Sequence, residues 1–342
     1  MSCPQKSTRR FFPLTVEKVP DEEEKLLQAK GFLGYTNLVR TNPSLVPLRP
    51  AYADLAESYY NFDFRSDDTV LLTFPKSGTT WLSEALWAIR NLNQLDQADE
   101  ADIDERVFFL DSDFLQPAPN DVDTPAMKKF SAACPEGRVE DGVTLQMAAA
   151  EKGPRILKSH LQLELLNPDL LDTCKVVYMA RNPKDVCVSY FHHCKKNTKK
   201  IFQGEFSDFA EAFMGNQLLF APYWDHVRQV WLRRGHENLH FMFFEHMKRD
   251  VFGELKRLAT FLEADLSDED VRRVADHCSF GRMQEREQRQ SQGRGPLYGV
   301  PGFFHKGAIG GWKDVASQDL NDRFDNWIID NNCGIDIPFT YE

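Results

Sequence analysis

Four short segments carry residue types and spacings suited to handling a small anion. The first is PKSGTTW, Pro75 to Trp81. Gly78 lets the backbone turn sharply. Backbone N–H groups at a helix start, with the hydroxyls of Thr79 and Thr80, can cradle a phosphate, and Lys76 adds a mobile positive charge. The G-x-x-x-x-G-K pattern is absent, so a nucleoside triphosphatase is not the natural reading. The second segment is KSH, Lys158 to His160. Residues at i and i+2 on a strand point the same way. A histidine there can take a proton from a hydroxyl, and a lysine can neutralise charge building on a transferring group. The third is RNPKDVCVS, in which Arg181 offers a fork of donors to a phosphate and Ser189 lies eight residues on. An ion pair from Arg181 to Asp185 is the plainer alternative. The fourth is FFHKGAIGGWK, Phe303 to Lys313, where His305 and Lys306 add positive charge beside Gly307, Gly310 and Gly311.

These segments need elements to hold them. Val70 to Phe74 is a short apolar run bounded by Asp67–Asp68 and Pro75, which predicts a buried strand. Trp81, Leu82, Ala85, Leu86 and Ile89 then recur at helical spacing. Further strands are expected at 155–159, 175–180 and 239–244. Asn182 caps a helix with Pro183 at its first position. Helices are also expected at 51–60, 144–151 and 255–264, with another starting near Ser267. Strands alternating with helices predict an α/β fold: a single domain with a central parallel sheet flanked by helices. Each basic segment falls at the carboxyl end of a strand or in a glycine loop, where sites form. Most of 111–150 reads as loop, 281–302 reads as an irregular flap, and 96–105, with its six acids, reads as a solvated surface.

The whole chain of 342 residues carries 41 Lys and Arg against 52 Asp and Glu, a net charge of -11, which excludes a generally basic nucleic-acid-coating protein. Four basic elements converging in an acidic chain favour a multiply phosphorylated small ligand over a nucleic acid. No run of about 18 apolar residues suggests a membrane span. The FFPLTV stretch near the start is too short for a signal peptide. Seven scattered cysteines without a C-x-x-C pair predict free thiols and a cytoplasmic location. His192, His193 and Cys194 are neighbours on a predicted helix and diverge by roughly 100° per residue, so they cannot converge on a metal.

FPKSGTTW, KSHL, MARNPKDVCVS, FFEHMKRD and KGAIGGWK occur in the order and setting of the cytosolic sulfotransferases, and the chain resembles that family over residues 55–330. The resemblance implies transfer of a sulfonate from 3'-phosphoadenosine 5'-phosphosulfate (PAPS) to the hydroxyl of a small apolar acceptor. It leaves adenosine 3',5'-bisphosphate (PAP) and uses no metal. It implies a P-loop-like strand–loop–helix for the 5'-phosphosulfate, made by Lys76, Ser77, Gly78, Thr79 and Thr80, with Trp81 against the adenine. It makes His160 the general base, with Lys76 and Lys158 at the transferring group. Arg181 and Ser189 resemble the 3'-phosphate pair; His305, Lys306 and Gly307 resemble the loop that closes over it. Phe244, Cys278 and Phe280 fall at adenine-side positions, and Phe108, Phe109, Phe191 and His160 at acceptor positions. Residues 1–54 form an N-terminal extension and 331–342 a tail.

Several positions depart from the family pattern. His305 replaces an arginine, Phe244 a tyrosine, Cys278 a threonine and Gly311 an aspartate. The usual homodimer motif is degraded to Lys313, Ser317, Gln318 and Asp322. An insertion at about 95–150 resembles the enlargement in insect retinol dehydratase, where Phe108, Phe109, Phe114 and Phe130 would supply rings to a lid. Two other readings stay open: a dehydratase driven by sulfonation, and a nucleotide-binding protein without catalysis. A kinase is disfavoured by the missing Walker A loop and magnesium-binding acid.

Overall fold

Eight strands form two sheets in the computed structural model, which describes residues 9–99, 101–116, 124–292, 297–304 and 307–342. The larger is parallel: β4 (Thr69–Leu72), β5 (Phe108–Phe109), β6 (Ile156–Ser159), β7 (Lys175–Ala180) and β8 (Leu239–Phe243), in the order β5-β6-β4-β7-β8. The smaller is antiparallel: β1 (Thr15–Lys18), β2 (Val39–Asn42) and β3 (Pro47–Leu48).

The two faces of the parallel sheet are read directly from side-chain alternation. Val70, Leu72, Leu157, Val176, Tyr178 and Phe243 enter one core, which also takes in residues of the antiparallel sheet. Leu71, Ile156, Val177, Met179 and Met242 enter the other. With helices covering both faces, the strands can be apolar throughout, as parallel strands must be. The sheet is anchored at its lower end by Arg155 and Asp68, whose side chains are wholly buried and joined through Nε–Oδ1 at 2.7 Å and Nη2–Oδ2 at 2.5 Å.

The expected strands and the helices Tyr52–Tyr60, Thr79–Arg90, Pro183–Lys196 and Asp268–His277 are present. Ser267 closes a capping box on the last of these. Two readings are corrected. Residues 280–291 are not irregular: Phe280–Ser291 is a helix whose N-cap Ser279 accepts from the Arg282 N–H. Met283, Arg286 and Glu287 form its buried stripe at i, i+3 and i+4, and two of these three are charged, which hid the pattern. The 111–150 segment is not mainly loop either. Besides the expected helix, Val143–Ala150, it holds helices Ser112–Leu115 and Pro125–Ala133, and it follows edge strand β5.

Candidate active site

The carboxyl ends of β4, β6 and β7 open onto one cavity of about 1970 Å³. That is roughly twice the upper size of a pocket for one drug-like ligand, so there is room for two molecules side by side. It is lined by Lys76, Gly78, Thr79, Thr80, Trp81, Phe109, Lys158, His160, Arg181, Ser189, Phe244, Cys278, Phe280 and Gly307, all of them expected site residues.

At the end of β4 the chain turns through Lys76 (φ 70°) and Gly78 (φ 107°) into helix Thr79–Arg90. A Cβ at Gly78 would lie 2.7 Å from Met179 Sδ and 2.8 Å from Phe244 Cδ2, so the position needs glycine both for its dihedral and for its space. No side chain caps this helix, which leaves its first N–H groups available to a ligand, and its first residues, Thr79, Thr80 and Trp81, line the cavity. The Thr79 hydroxyl lies 2.7 Å from that of Thr73. Lys76 Nζ sits 4.1 Å from the centre of the Phe303 ring and 3.4 Å from His193 Nδ1. Burial brings its pKa down to about 7, with Arg181 adding to the drop.

His160 follows β6. Its Nδ1 lies 2.8 Å from the carbonyl oxygen of Thr73. A carbonyl only accepts, so Nδ1 carries the hydrogen and Nε2 keeps its lone pair. Phe109 and Phe220 pack edge-on at 5.4 Å each. Burial lowers the imidazole pKa to about 3, so the ring is neutral at physiological pH. Its backbone is held too: the His160 N–H donates to Asp111 Oδ2 at 2.6 Å, and the Ser159 hydroxyl to Asp111 Oδ1 at 2.6 Å. Burial raises Asp111 to about 7.

Lys158, two residues back on β6, is bound by Asp104 and Tyr298. Arg181, at the end of β7, donates to the carbonyls of Lys76 (3.2 Å) and Ala308 (2.9 Å) and lies 4.3 Å over the Phe244 ring. Its Nε is buried without a partner, as is Nε1 of Trp81, whose ring meets Phe244 at 74°.

Three expected residues do not line this cavity. Ser77 is fully buried behind the loop, its N–H donating to Phe74. Phe108 precedes Phe109 on β5, so alternation sends the two rings to opposite faces, and Phe108 packs on the core. Phe191 stands about 200° round the helix from Ser189 and packs on Phe202, Phe206 and Phe209. Phe130 is buried away from the cavity, whereas Phe114 lines it. His305 and Lys306 lie outside the described residues. Asp104, Asp111, His193, Phe220, Tyr298 and Phe303 were not anticipated. Among the described residues no group of three or more His, Cys, Asp or Glu is arranged to hold a metal, and no helix is long and apolar enough to cross a membrane.

A parallel α/β sheet with an uncapped helix start, convergent cations and a neutral histidine at one mouth is suited to holding an anionic ligand and accepting a proton beside it. Residues 66–332 match the family model described as "Sulfotransferase domain". Mouse sulfotransferase 1A1 is 33% identical over 300 residues, covering 86% of this chain and 94% of that protein. Among solved structures, retinol dehydratase in complex with retinol and PAP superposes with a TM-score of 0.83 at 27% identity, over 96% of this chain and 99% of that one. Its complex with androsterone and PAP gives 0.82 at 27%, over 97% and 99%. The chain belongs to the sulfotransferase family. It is a PAPS-dependent enzyme of that family.

Proposed function

We propose that the protein sulfonates the hydroxyl of an apolar alcohol of steroid or retinoid size, with His160 as general base. The observation that carries this is the contact of His160 Nδ1 with the Thr73 carbonyl oxygen, which leaves Nε2 as the lone-pair nitrogen of a ring that lines the cavity between two aromatic edges.

PAPS supplies the sulfonate and a phosphate leaving group. Lys76, Thr79, Thr80 and the helix N–H groups after Gly78 would hold its 5' side. Trp81 and Phe244, with Cys278 and Phe280, would take the adenine. Arg181 and Ser189 would take the 3'-phosphate, with Gly307 and the neighbouring His305 and Lys306 at the closing loop. The acceptor lies among Phe109, Phe114, Leu219 and Phe220, which also line the cavity. His160 Nε2 accepts the acceptor's proton as oxygen bonds to sulfur in line. Lys76 and Lys158 offset the charge on the sulfonate and leaving oxygens. The products are a sulfate ester, PAP and a proton on His160.

A second reading is favoured by the retinol dehydratase likeness, which spans nearly all of both chains and so includes the 95–150 insertion. There the ester would not leave: its C–O bond would break, sulfate would depart with the electron pair, and loss of a proton from the adjacent carbon would give an alkene. Of the two fates, the comparisons support this one more strongly.

Incubation with sulfur-labelled PAPS and a panel of phenols, steroids, retinol and short alcohols tests both. Labelled ester means transfer with release; labelled inorganic sulfate with a dehydrated acceptor means elimination. His160→Ala is expected to lower either by about 10²- to 10⁴-fold, the usual worth of a general base, while PAP still binds. Undiminished turnover in that variant refutes the assignment.

A further inference from the structure

We propose that Asp104 and Tyr298 are positioning residues for Lys158, closing a three-membered hydrogen-bonded ring that leaves a single ammonium N–H for the reaction.

Lys158 Nζ donates to Asp104 Oδ1 at 2.5 Å and to the Tyr298 hydroxyl oxygen at 2.9 Å. The Tyr298 hydroxyl donates in turn to Asp104 Oδ1 at 3.0 Å. The inventory closes: an ammonium has three N–H donors, two are used, and the phenol both accepts and donates. Among the described residues the third N–H has no hydrogen-bond partner, and Lys158 lines the cavity.

The partners come from far apart in the chain. Asp104 sits on the one-turn helix Ile103–Arg106, inside the acidic run. Tyr298 has a left-handed backbone (φ 51°) in the turn Leu297–Gly299. Its carbonyl accepts from Asn197 Nδ2 at 3.2 Å, and that of Gly299 from the Thr198 N–H at 2.8 Å. The Tyr298 ring packs against Phe109 and Phe303. The ring of bonds is therefore fixed by the sheet, the insertion and the end of helix Pro183–Lys196 at once.

Lys76 gives an internal comparison. Both lysines line the same mouth, Lys158 fully buried and Lys76 partly so. Lys76 faces an imidazole and an aromatic ring, and its pKa drops to about 7. Lys158 also faces His160 and Asp111, but burial is outweighed by Asp104 and Tyr298, which hold it above its ordinary value. One carboxylate separates a lysine that titrates near neutrality from one that stays charged.

The inference rests on the sulfonation reading for the use made of Lys158, and its test separates the two. Lys158 is labelled with acetic anhydride across pH 6 to 11 in the wild type, Asp104→Asn and Tyr298→Phe, and read by peptide mass with Lys76 as reference. In the wild type the Lys158 midpoint lies above this range, and Asp104→Asn is expected to bring it down to about 8 or below, towards that of Lys76. A midpoint that stays above the range in Asp104→Asn overturns the proposal whatever the enzyme's activity. In the transfer assay, Asp104→Asn is expected to lose at least about tenfold more kcat/KM for the donor at pH 9 than at pH 6.5, since that ratio reports the free enzyme. Tyr298→Phe, which keeps the carboxylate, is expected to lose about three- to tenfold in kcat with the donor KM unchanged, the worth of one hydrogen bond. A loss in Asp104→Asn that is equal at every pH, or a loss in Tyr298→Phe confined to KM, refutes positioning. No transfer by the wild type would overturn the sulfonation reading while leaving the labelling result to stand.

Discussion

Affinity for PAP is expected to fall steeply with pH, because Lys76 must acquire a proton to bind it. In the free protein burial sets the Lys76 ammonium at about 7. A bound phosphate restores it to at least its ordinary value near 10.4. Between pH 7 and pH 9 the protonated fraction of free Lys76 falls from about one half to about one hundredth. Affinity should then drop by about 50-fold, or about 2.3 kcal/mol, with one proton taken up per ligand at pH 9. The Phe303 ring, 4.1 Å from Nζ, favours the charged form and moderates the drop. The phosphates themselves are already fully ionised above about pH 7.5, so the slope there reports the protein. Calorimetry in two buffers of different ionisation enthalpy reads both affinity and proton uptake. Lys76→Arg, which cannot deprotonate, should bind with little pH dependence. A flat wild-type profile, or an equal slope in Lys76→Arg, refutes the argument.

Arg181→Ala should weaken PAP binding by about 100-fold, since it removes a charged donor and its stack on Phe244; equilibrium titration measures it, and an unchanged Kd counts against the 3'-phosphate assignment. Gly78→Ala should cost at least about 1–2 kcal/mol of stability and most of the donor affinity, because its Cβ would press on Met179 and Phe244 at a left-handed backbone; a melting temperature within a degree of wild type would show that the loop yields freely. Acid should destabilise the ligand-free protein. Burial keeps His160 and His226 neutral down to about 3 and about 4, and His193 is also held well below its usual value. The unfolded chain takes up three protons below about pH 6.5 that the folded one does not, whereas Asp111, raised to about 7, contributes one proton in the opposite sense. The difference is about two protons, a fall of about 2.7 kcal/mol per pH unit between pH 6 and 4.5, and urea titrations at pH 7 and 5 check it; equal stability at both would refute it.

The local chemistry was legible because it is local. PKSGTTW declares its own strand, turn and helix; Asn182-Pro183 declares the helix that carries Ser189; apolar runs declare β4, β6 and β7. What the sequence hid is tertiary. Nothing in an acidic run says that its fifth acid, Asp104, meets a lysine 54 positions on. Tyr298 lies 140 residues from Lys158 in a stretch that reads as irregular. Phe108 and Phe109 show the opposite failing: both were placed at the acceptor, although period-two alternation, readable in advance, allows only one once the pair is a strand. The antiparallel sheet escaped notice because its strands are at most four residues long and stand among prolines.

The partner that fixes the His160 tautomer is the main-chain oxygen of Thr73, the residue that follows β4, the strand paired in parallel with β6. Every residue has that oxygen, so no point substitution at 73 deletes it. The aim of the base is thus insulated from mutational drift in a way that a side-chain partner such as Asp111 is not. Only a slip of β4 against β6 would misdirect it, and that would also turn the apolar face of each strand to the wrong core. The enclosing insertion is under no such constraint beyond Asp104, β5 and Asp111, which touch β6 directly. The walls that choose the acceptor can diversify between relatives while the proton-accepting nitrogen keeps its bearing.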